Sequence, residues 1–495
     1  MTRYLSFTVI ATAMCLLGSM SLGAVAVAML LLLPSAFLKK GQGMAYGIIV
    51  TVIIGLICLA DIFCQEYFFS TLSAGLVRLV RNTDAGEVSN FCGAFLKPSI
   101  FGRWRITACL ILILGTPFAA LIKLPKLPLW VMLVAAVIGL WHMGNTPPGR
   151  LATSIAEIIK QDRKTEKQHK AFLTAKADTC TFLSPRIVLV IGESFNKHHA
   201  SAYGYRLPTT PFLDGHVSDG SVTLFADAVT PWNMTADVFE SMFSVPFPAI
   251  LKRAGYKVNF YSNQNPAGLG FKVAARGQFL FNDRVISDAC FSYKNTRTRL
   301  YDHDFIEDVL PDTLTIAPVL DIIHLKGQHF DYEKHYPQSF ARFSQADYPV
   351  GTPLEVMHYD NATNYHDYVL ERILQYYSAT DAIVVFLADH GEEVFDDLPI
   401  SGRSHEVPGP AEAKAEFEVP MWIWCSSEYA LSHPDVVGLL PAAAVRPFYT
   451  ADISHLILAL AGAAGEFTSP EHNVLSDSYC CPARILAGSV DYDTI

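Results

Sequence analysis

From Tyr4 to Leu38 the chain runs for 35 residues without a single charge. A helix of that length would rise roughly 50 Å, well beyond the roughly 30 Å hydrocarbon core of a bilayer. One simple span is therefore a poor fit, and Gly18, Ser19, Ser21 and Gly23 fall where a tight helical hairpin would turn. A single tilted helix and an uncleaved signal anchor are the alternatives. Further long apolar runs cover about residues 43 to 63, 104 to 122 and 127 to 143. That makes five spans with the hairpin and four without. Five spans leave Arg3, Lys39, Lys40, Lys123 and Lys126 on the cytoplasmic side and the C-terminal part outside. Arg78, Arg81, Lys97, Arg103 and Arg105 run against this charge rule, and the segment of about 64–103 that holds most of them reads as an interfacial helical stretch.

The remainder of the chain is different in kind. From about residue 150 onward the charge, Pro and His content is that of a soluble domain, although 51% of all 495 residues are hydrophobic. The expected division is a transmembrane domain over 1–145, a bridge helix and linker over 146–180, and an α/β domain over 181–495. Pro147, Pro148 and Gly149 are expected to break the last span before the polar helix of about 151–175. A net charge of −10, with no Lys/Arg-rich run, argues against nucleic acid as a partner. Ten cysteines without a C-x-x-C pair form no zinc-ribbon or redox motif, and no disulfide can be assigned.

Two apolar, β-branched runs end in polar residues. Arg186–Ile191 leads into Gly-Glu193-Ser, and Asp381–Ala388 leads into Asp389-His390-Gly-Glu392. Such runs read as buried strands, and polar residues at their carboxyl ends face a ligand crevice. A third run, Val419–Trp424, and a helical stretch over 359–377 complete an α/β pattern with a mainly parallel sheet covered by helices. Glu193, Asp389 and His390 together offer the oxygen and imidazole ligands that a divalent cation takes. Taken singly, each tripeptide is equally good turn or capping chemistry.

These residues resemble the phosphoethanolamine transferases of the alkaline phosphatase and sulfatase superfamily. The resemblance is carried by Val188–Tyr205 with Thr209-Thr-Pro211, by His324-Leu-Lys-Gly-Gln-His329 with Tyr336-Pro337, and by Tyr359-Asp-Asn361 with Tyr365 and Asp367. The Asp389–Glu392 block, His405 ahead of Glu418-Val-Pro420, and Asn82-Thr83 with Glu87 extend it over nearly the whole chain. It implies an alkaline-phosphatase-like domain anchored by α-helical spans in the bacterial inner membrane, multi-pass, with the catalytic domain in the periplasm.

The resemblance also implies a set of roles. Glu193, Asp389 and His390 match zinc ligands, with manganese an alternative for the same donors. Thr235 matches the nucleophile, itself a metal ligand, at the start of a helix; Thr230 is the rival, and a plain capping role is the bland alternative. His324, His329 and His405 match histidines that contact phosphate or move protons, and Asn263 and Gln264 match a substrate-binding pair. The implied activity transfers phosphoethanolamine from phosphatidylethanolamine to lipid A, core oligosaccharide or periplasmic glucan. Other activities of the superfamily, and an inactive scaffold, are the competing readings. Phe195 stands where the family commonly has a small polar residue, and the disulfides of the lipid A enzymes have no counterpart here. His198 and His199 are expected to be exposed loop residues.

Overall fold

The computed structural model describes residues 2–19, 21, 23–68, 71–73, 76–77, 92, 95–122, 128–264, 280–311, 318–403 and 408–495. Two compact units divide between Arg163 and Lys164.

In the N-terminal unit the long uncharged run is broken into α1 (Thr2–Ser19) and α2 (Gly23–Leu32). Next come α3 (Lys40–Tyr67), α4 (Trp104–Gly115) and α5 (Leu129–His142). Only α3, among the described residues, is long and apolar enough to cross a membrane by itself; the stretches Leu5–Ser19, Gly23–Ser35 and Trp104–Ala119 are apolar but shorter. Phe7, Met14, Ala28, Ile54, Ile62 and Ile106 form the core of this unit. Helix α6 (Pro147–Thr174) starts earlier than its polar composition suggests. Pro147 and Pro148 open it instead of interrupting the chain, because a first-turn proline removes no intrahelical hydrogen bond. Half of the expected interfacial stretch, including Asn82, Thr83 and Glu87, lies outside the described residues.

The C-terminal unit is built on a seven-stranded sheet. Its strands are β1 (Arg186–Gly192), β2 (Val222–Phe225), β3 (Lys257–Ser262), β4 (Tyr293–Lys294), β5 (Val319–His324), β6 (Ala382–Ala388) and β7 (Met421–Cys425). They lie in the order β2-β7-β6-β1-β5-β3-β4. The four pairings among β6, β1, β5, β3 and β4 are parallel, and β7 joins β6 and β2 antiparallel. Every residue of β1 and β6 is buried, which is why these strands read as continuous apolar runs and not as alternating ones.

Register decides which residues meet at the carboxyl edge. Gly192 pairs with Ala388 and Ile191 with His324, so Glu193, Asp389 and His324 emerge side by side from three adjacent strands. The loops beyond are fixed by buried carboxylates. Asp302 accepts hydrogen bonds from Asn263 Nδ2 and from the Lys326 and Gly327 amides, tying the ends of β3 and β5 together. Asp367, on the helix Leu354–Tyr377, accepts from the amides of Phe212 and Leu213 and so caps the helix Pro211–Ser218. Gly327 has φ +47°, and a Cβ there would lie 2.7 Å from the Glu193 carbonyl oxygen, so no larger residue lets this loop close over β1.

Candidate active site

Glu193, Asp389 and His390 are fully buried, and one ligand atom from each lies within 4.8 Å of the others. His390 Nε2 is 3.3 Å from Glu193 Oε1 and 3.3 Å from Asp389 Oδ2. His390 Nδ1 donates to the Gly391 carbonyl at 2.9 Å, which leaves Nε2 as the acceptor facing the carboxylates. Asp389 Oδ1 accepts from the Ser194 and His390 amides, whereas its Oδ2 is buried with no hydrogen-bond partner among the described residues. Ser194 adopts φ +54°, a conformation that non-glycine residues take only when their surroundings enforce it.

Thr235 completes the cluster. As first residue of the helix Thr235–Met242, it donates its hydroxyl to Glu193 Oε2 at 3.0 Å and lies 3.3 Å from His390 Nε2. The helix start carries unpaired amide donors and the positive end of the helix dipole, both favourable to an anion. Thr230, the rival, is buried and its hydroxyl makes no hydrogen bond to any of these groups.

The electrostatics are those of two like charges held together. Burial and the charge of Glu193 push the Asp389 carboxyl well above its usual range. Burial acts in the same direction on Glu193, but His390, His329 and Arg403 overcome it and hold that carboxyl low. Burial, reinforced by Arg403, lowers His390. Two buried carboxylates, an imidazole with its lone pair turned inward and an orphaned Oδ2 form a donor set that fits a divalent cation.

Around this centre the remaining residues fall into three groups. Gln264 reaches it directly, donating from Nε2 to Glu193 Oε2 at 2.8 Å and to the Leu325 carbonyl at 2.7 Å. Asn263 does not: its side chain joins Asp302 and the Arg299 amide, so it orders the loop behind Gln264. His324 is buried at the end of β5, 3.1 Å from Ser262 Oγ through Nδ1, and burial pushes it down to about 4, a neutral imidazole at physiological pH. His329 is half-buried on the loop after β5, near enough for its charge to act on Glu193. His405 lies outside the described residues.

Arg403 is the residue that motif reading missed. It stands after a short hairpin, Glu393–Val394 paired with Ser401–Gly402, and its Nη1 donates to His390 Nε2 at 2.6 Å and to the Asn233 carbonyl at 3.3 Å. No periodicity marks it; only a cation within the loop following the Asp-His motif could have drawn notice. The expectation for His199 also needs correction. It is 1% exposed, held by Asp360 at 2.6 Å and Asp396 at 3.1 Å, while His198 is half-buried against Glu418. Asp360 and Asp396 draw the ring inward because a buried imidazole requires partners. All ten cysteines are free thiols.

A mainly parallel sheet with this cluster at its carboxyl edge and a hydroxyl at a helix start defines an alkaline-phosphatase-like α/β domain. More narrowly, the chain belongs to the sulfatase family, whose model matches residues 185–463. Among curated proteins it is 28% identical over 346 residues to the phosphoethanolamine transferase EptC of Escherichia coli O18:K1:H7, covering 62% of this chain and 57% of that protein. The chain thus spans about half the length of the curated relatives it matches.

The C-terminal periplasmic domain of E. coli EptC superposes with a TM-score of 0.53 at 27% identity, over 65% of this chain and 95% of that one. The same domain solved in complex with zinc gives 0.54 at 24%, over 65% and 96%. The integral membrane lipooligosaccharide phosphoethanolamine transferase A of Neisseria meningitidis shares the fold over 94% of this chain and 98% of its own, with a TM-score of 0.61 at 15% identity. The resemblance to phosphoethanolamine transferases drawn from the motifs is borne out, as is the fold class.

Proposed function

We propose that this protein transfers phosphoethanolamine from phosphatidylethanolamine to an acceptor at the cell envelope, through a covalent phosphothreonine intermediate on Thr235. The observation that carries the reading is the Thr235 hydroxyl, 3.0 Å from Glu193 and 3.3 Å from His390 at a helix start, beside a donor set that fits a cation. Glu193, Thr235, Asp389 and His390 would hold the metal, zinc in the first instance and manganese as the alternative. When bound, that ion lowers the pKa of the hydroxyl and neutralises phosphoryl charge.

The chain's own groups do the rest. Thr235 Oγ1 attacks the phosphorus, an O–P bond forms, and the bond from phosphorus to the glycerol oxygen breaks. Diacylglycerol leaves with a proton on that oxygen. In the second step an acceptor hydroxyl or phosphate oxygen attacks the same phosphorus, and Thr235 recovers its proton. Gln264 holds Glu193 in place, whereas Arg403 donates to the His390 Nε2 lone pair that the ion would take and would have to give it up on metal binding; His324, His329 and His405 are the candidates for contacting phosphate and moving protons. Lipid A, core oligosaccharide and periplasmic glucan are chemically compatible acceptors, and the kinship with lipooligosaccharide-modifying enzymes supports the glycolipids first. The same kinship supports a multi-pass anchor in the inner membrane over 1–145, a bridge over 146–180 and a periplasmic catalytic domain over 181–495.

Intact-mass spectrometry tests this reading. After incubation with phosphatidylethanolamine and zinc but no acceptor, the wild type is expected to gain about 123 Da and Thr235→Ala nothing. No adduct on metal-loaded wild type sinks the proposal, and an adduct that survives in the variant moves the nucleophile to Thr230.

A further inference from the structure

A second cluster of ligating side chains stands apart from the active site. Asp452 closes the turn Thr450–Asp452, and His455 comes three residues later on the helix Ile453–Leu460, so both face the same way. His472 arrives from the turn Pro470–His472 and places its Nδ1 3.0 Å from Asp452 Oδ2. The two imidazole rings stack at 5.1 Å between centroids and 24° between planes. One ligand atom from each of the three residues lies within 4.8 Å of the others.

The geometry points to a second divalent-cation site of the zinc class, formed by Asp452, His455 and His472, with the fourth position left to water. A carboxylate oxygen with two imidazoles is a donor set that zinc accepts, and ligand atoms at about 2.1 Å from a tetrahedral ion sit about 3.4 Å apart. The Asp452–His472 pair, at 3.0 Å, lies close to that spacing, and the His455 ligand atom lies within 4.8 Å of both. An ordinary ion pair explains Asp452 and His472 but not His455. Its Nδ1 is buried without a hydrogen-bond partner among the described residues, a condition that folded proteins rarely leave uncorrected. Asp452 is only 7% exposed, so the cluster is also shielded on its acidic side. An ion there would pin the 470–472 turn to the helix that precedes it, acting on stability and not on turnover. The two clusters share no residue, so this site does not depend on the catalytic reading.

Counting zinc tests it. The full chain in detergent is stripped of metal, reloaded with zinc chloride, freed of excess and measured for bound zinc per chain. Four forms are compared: wild type, His472→Ala, Glu193→Gln/Asp389→Asn, and the combination. His472→Ala is expected to remove one zinc per chain in both backgrounds, and His472→Gln to do the same. Zinc should raise the melting temperature of Glu193→Gln/Asp389→Asn but not that of the combination. Equal counts with and without His472 overturn the site. So does a melting-temperature loss that is already complete without zinc, which would make His472 an ion-pair partner only.

Discussion

Both units of this molecule bury charge, and Asp61 in one and the Glu193–Asp389 pair in the other do it in opposite ways. In the N-terminal unit Asp61 is fully buried, yet every demand of its carboxylate is met. Arg150 Nη2 approaches Oδ2 at 2.5 Å and Nε approaches Oδ1 at 3.3 Å, while Gln65 and the Leu72 amide donate at 2.7 and 2.8 Å. In the C-terminal unit Glu193 and Asp389 are equally buried, but they face each other, and one oxygen is left without a partner. A satisfied buried charge fixes structure, because all its interactions are internal. An unsatisfied one holds free energy in reserve for something that binds. Burial of a charge alone does not mark a site; here the unfilled valence does so together with a second carboxylate and an imidazole within ligand reach.

The sharpest way to break this contrast is at its reactive end. Thr235→Ala is expected to reduce transfer by at least about 10³-fold with the fold intact, because the proposed nucleophile is removed. Single-turnover formation of diacylglycerol measures it, and residual turnover above one hundredth of wild type would mean that the hydroxyl is not the attacking group. Asp389→Asn comes next, with an expected loss of about 10²–10³-fold and one zinc fewer per chain. An amide keeps the shape but not the anionic charge, so retained zinc at full stoichiometry would contradict the role given to the orphaned Oδ2.

The opposite end of the comparison predicts the opposite signature. Asp61→Asn strands Arg150 inside a packed helical unit and is expected to destabilise it by about 3–5 kcal/mol. Zinc content and adduct formation per folded molecule should not change. Thermal unfolding in detergent, read beside zinc counts, separates the two; a variant that folds normally but fails to transfer would make Asp61 functional. Gln264→Ala lies between them in kind and has a smaller effect, about ten- to a hundredfold in rate, because it removes an orienting hydrogen bond and no ligand. Substitution of Asn263 should act through loop order, appearing in stability before rate.

Legibility in the sequence divides along the same line. Glu193 and Asp389-His390 could be read because an apolar strand announces where it ends, and residues just past the end of a parallel strand face the crevice. Helix α3 and the break between Ser19 and Gly23 could be read from apolar run length. Arg403 could not, since it is delivered by a hairpin with strands of two residues each, whose only signature is its fold. His199 was misjudged for a related reason: its partners Asp360 and Asp396 lie some 160 and 200 residues away, and pairing over that range leaves no local trace. Motif matching favours Thr235 and leaves Thr230 as the rival; the placement of the helix start puts the Thr235 hydroxyl against Glu193.

The mildest prediction tests whether the rule holds inside the C-terminal unit as well. Glu418 is a charge of the satisfied kind, with Lys197 Nζ at 2.8 Å, His198 Nε2 at 3.0 Å and the Tyr492 hydroxyl at 3.0 Å. Burial alone would raise its carboxyl, but His198 and Lys197 more than compensate and hold it at about 2, against 4.5 for a free glutamate. A folded-state value below the unfolded one means that the stabilisation is fully present above pH 4.5 and fades as the pH falls toward 2. Glu418→Gln is therefore expected to be less stable than wild type by about 1–3 kcal/mol at neutral pH. That gap should narrow steadily in melts taken from pH 5 down to pH 3, with zinc binding at neutral pH unaffected. A gap that stays constant over this range would mean that the glutamate contributes by shape and not by charge, and the line between satisfied and unsatisfied charges would then separate the two units and not the two kinds of site.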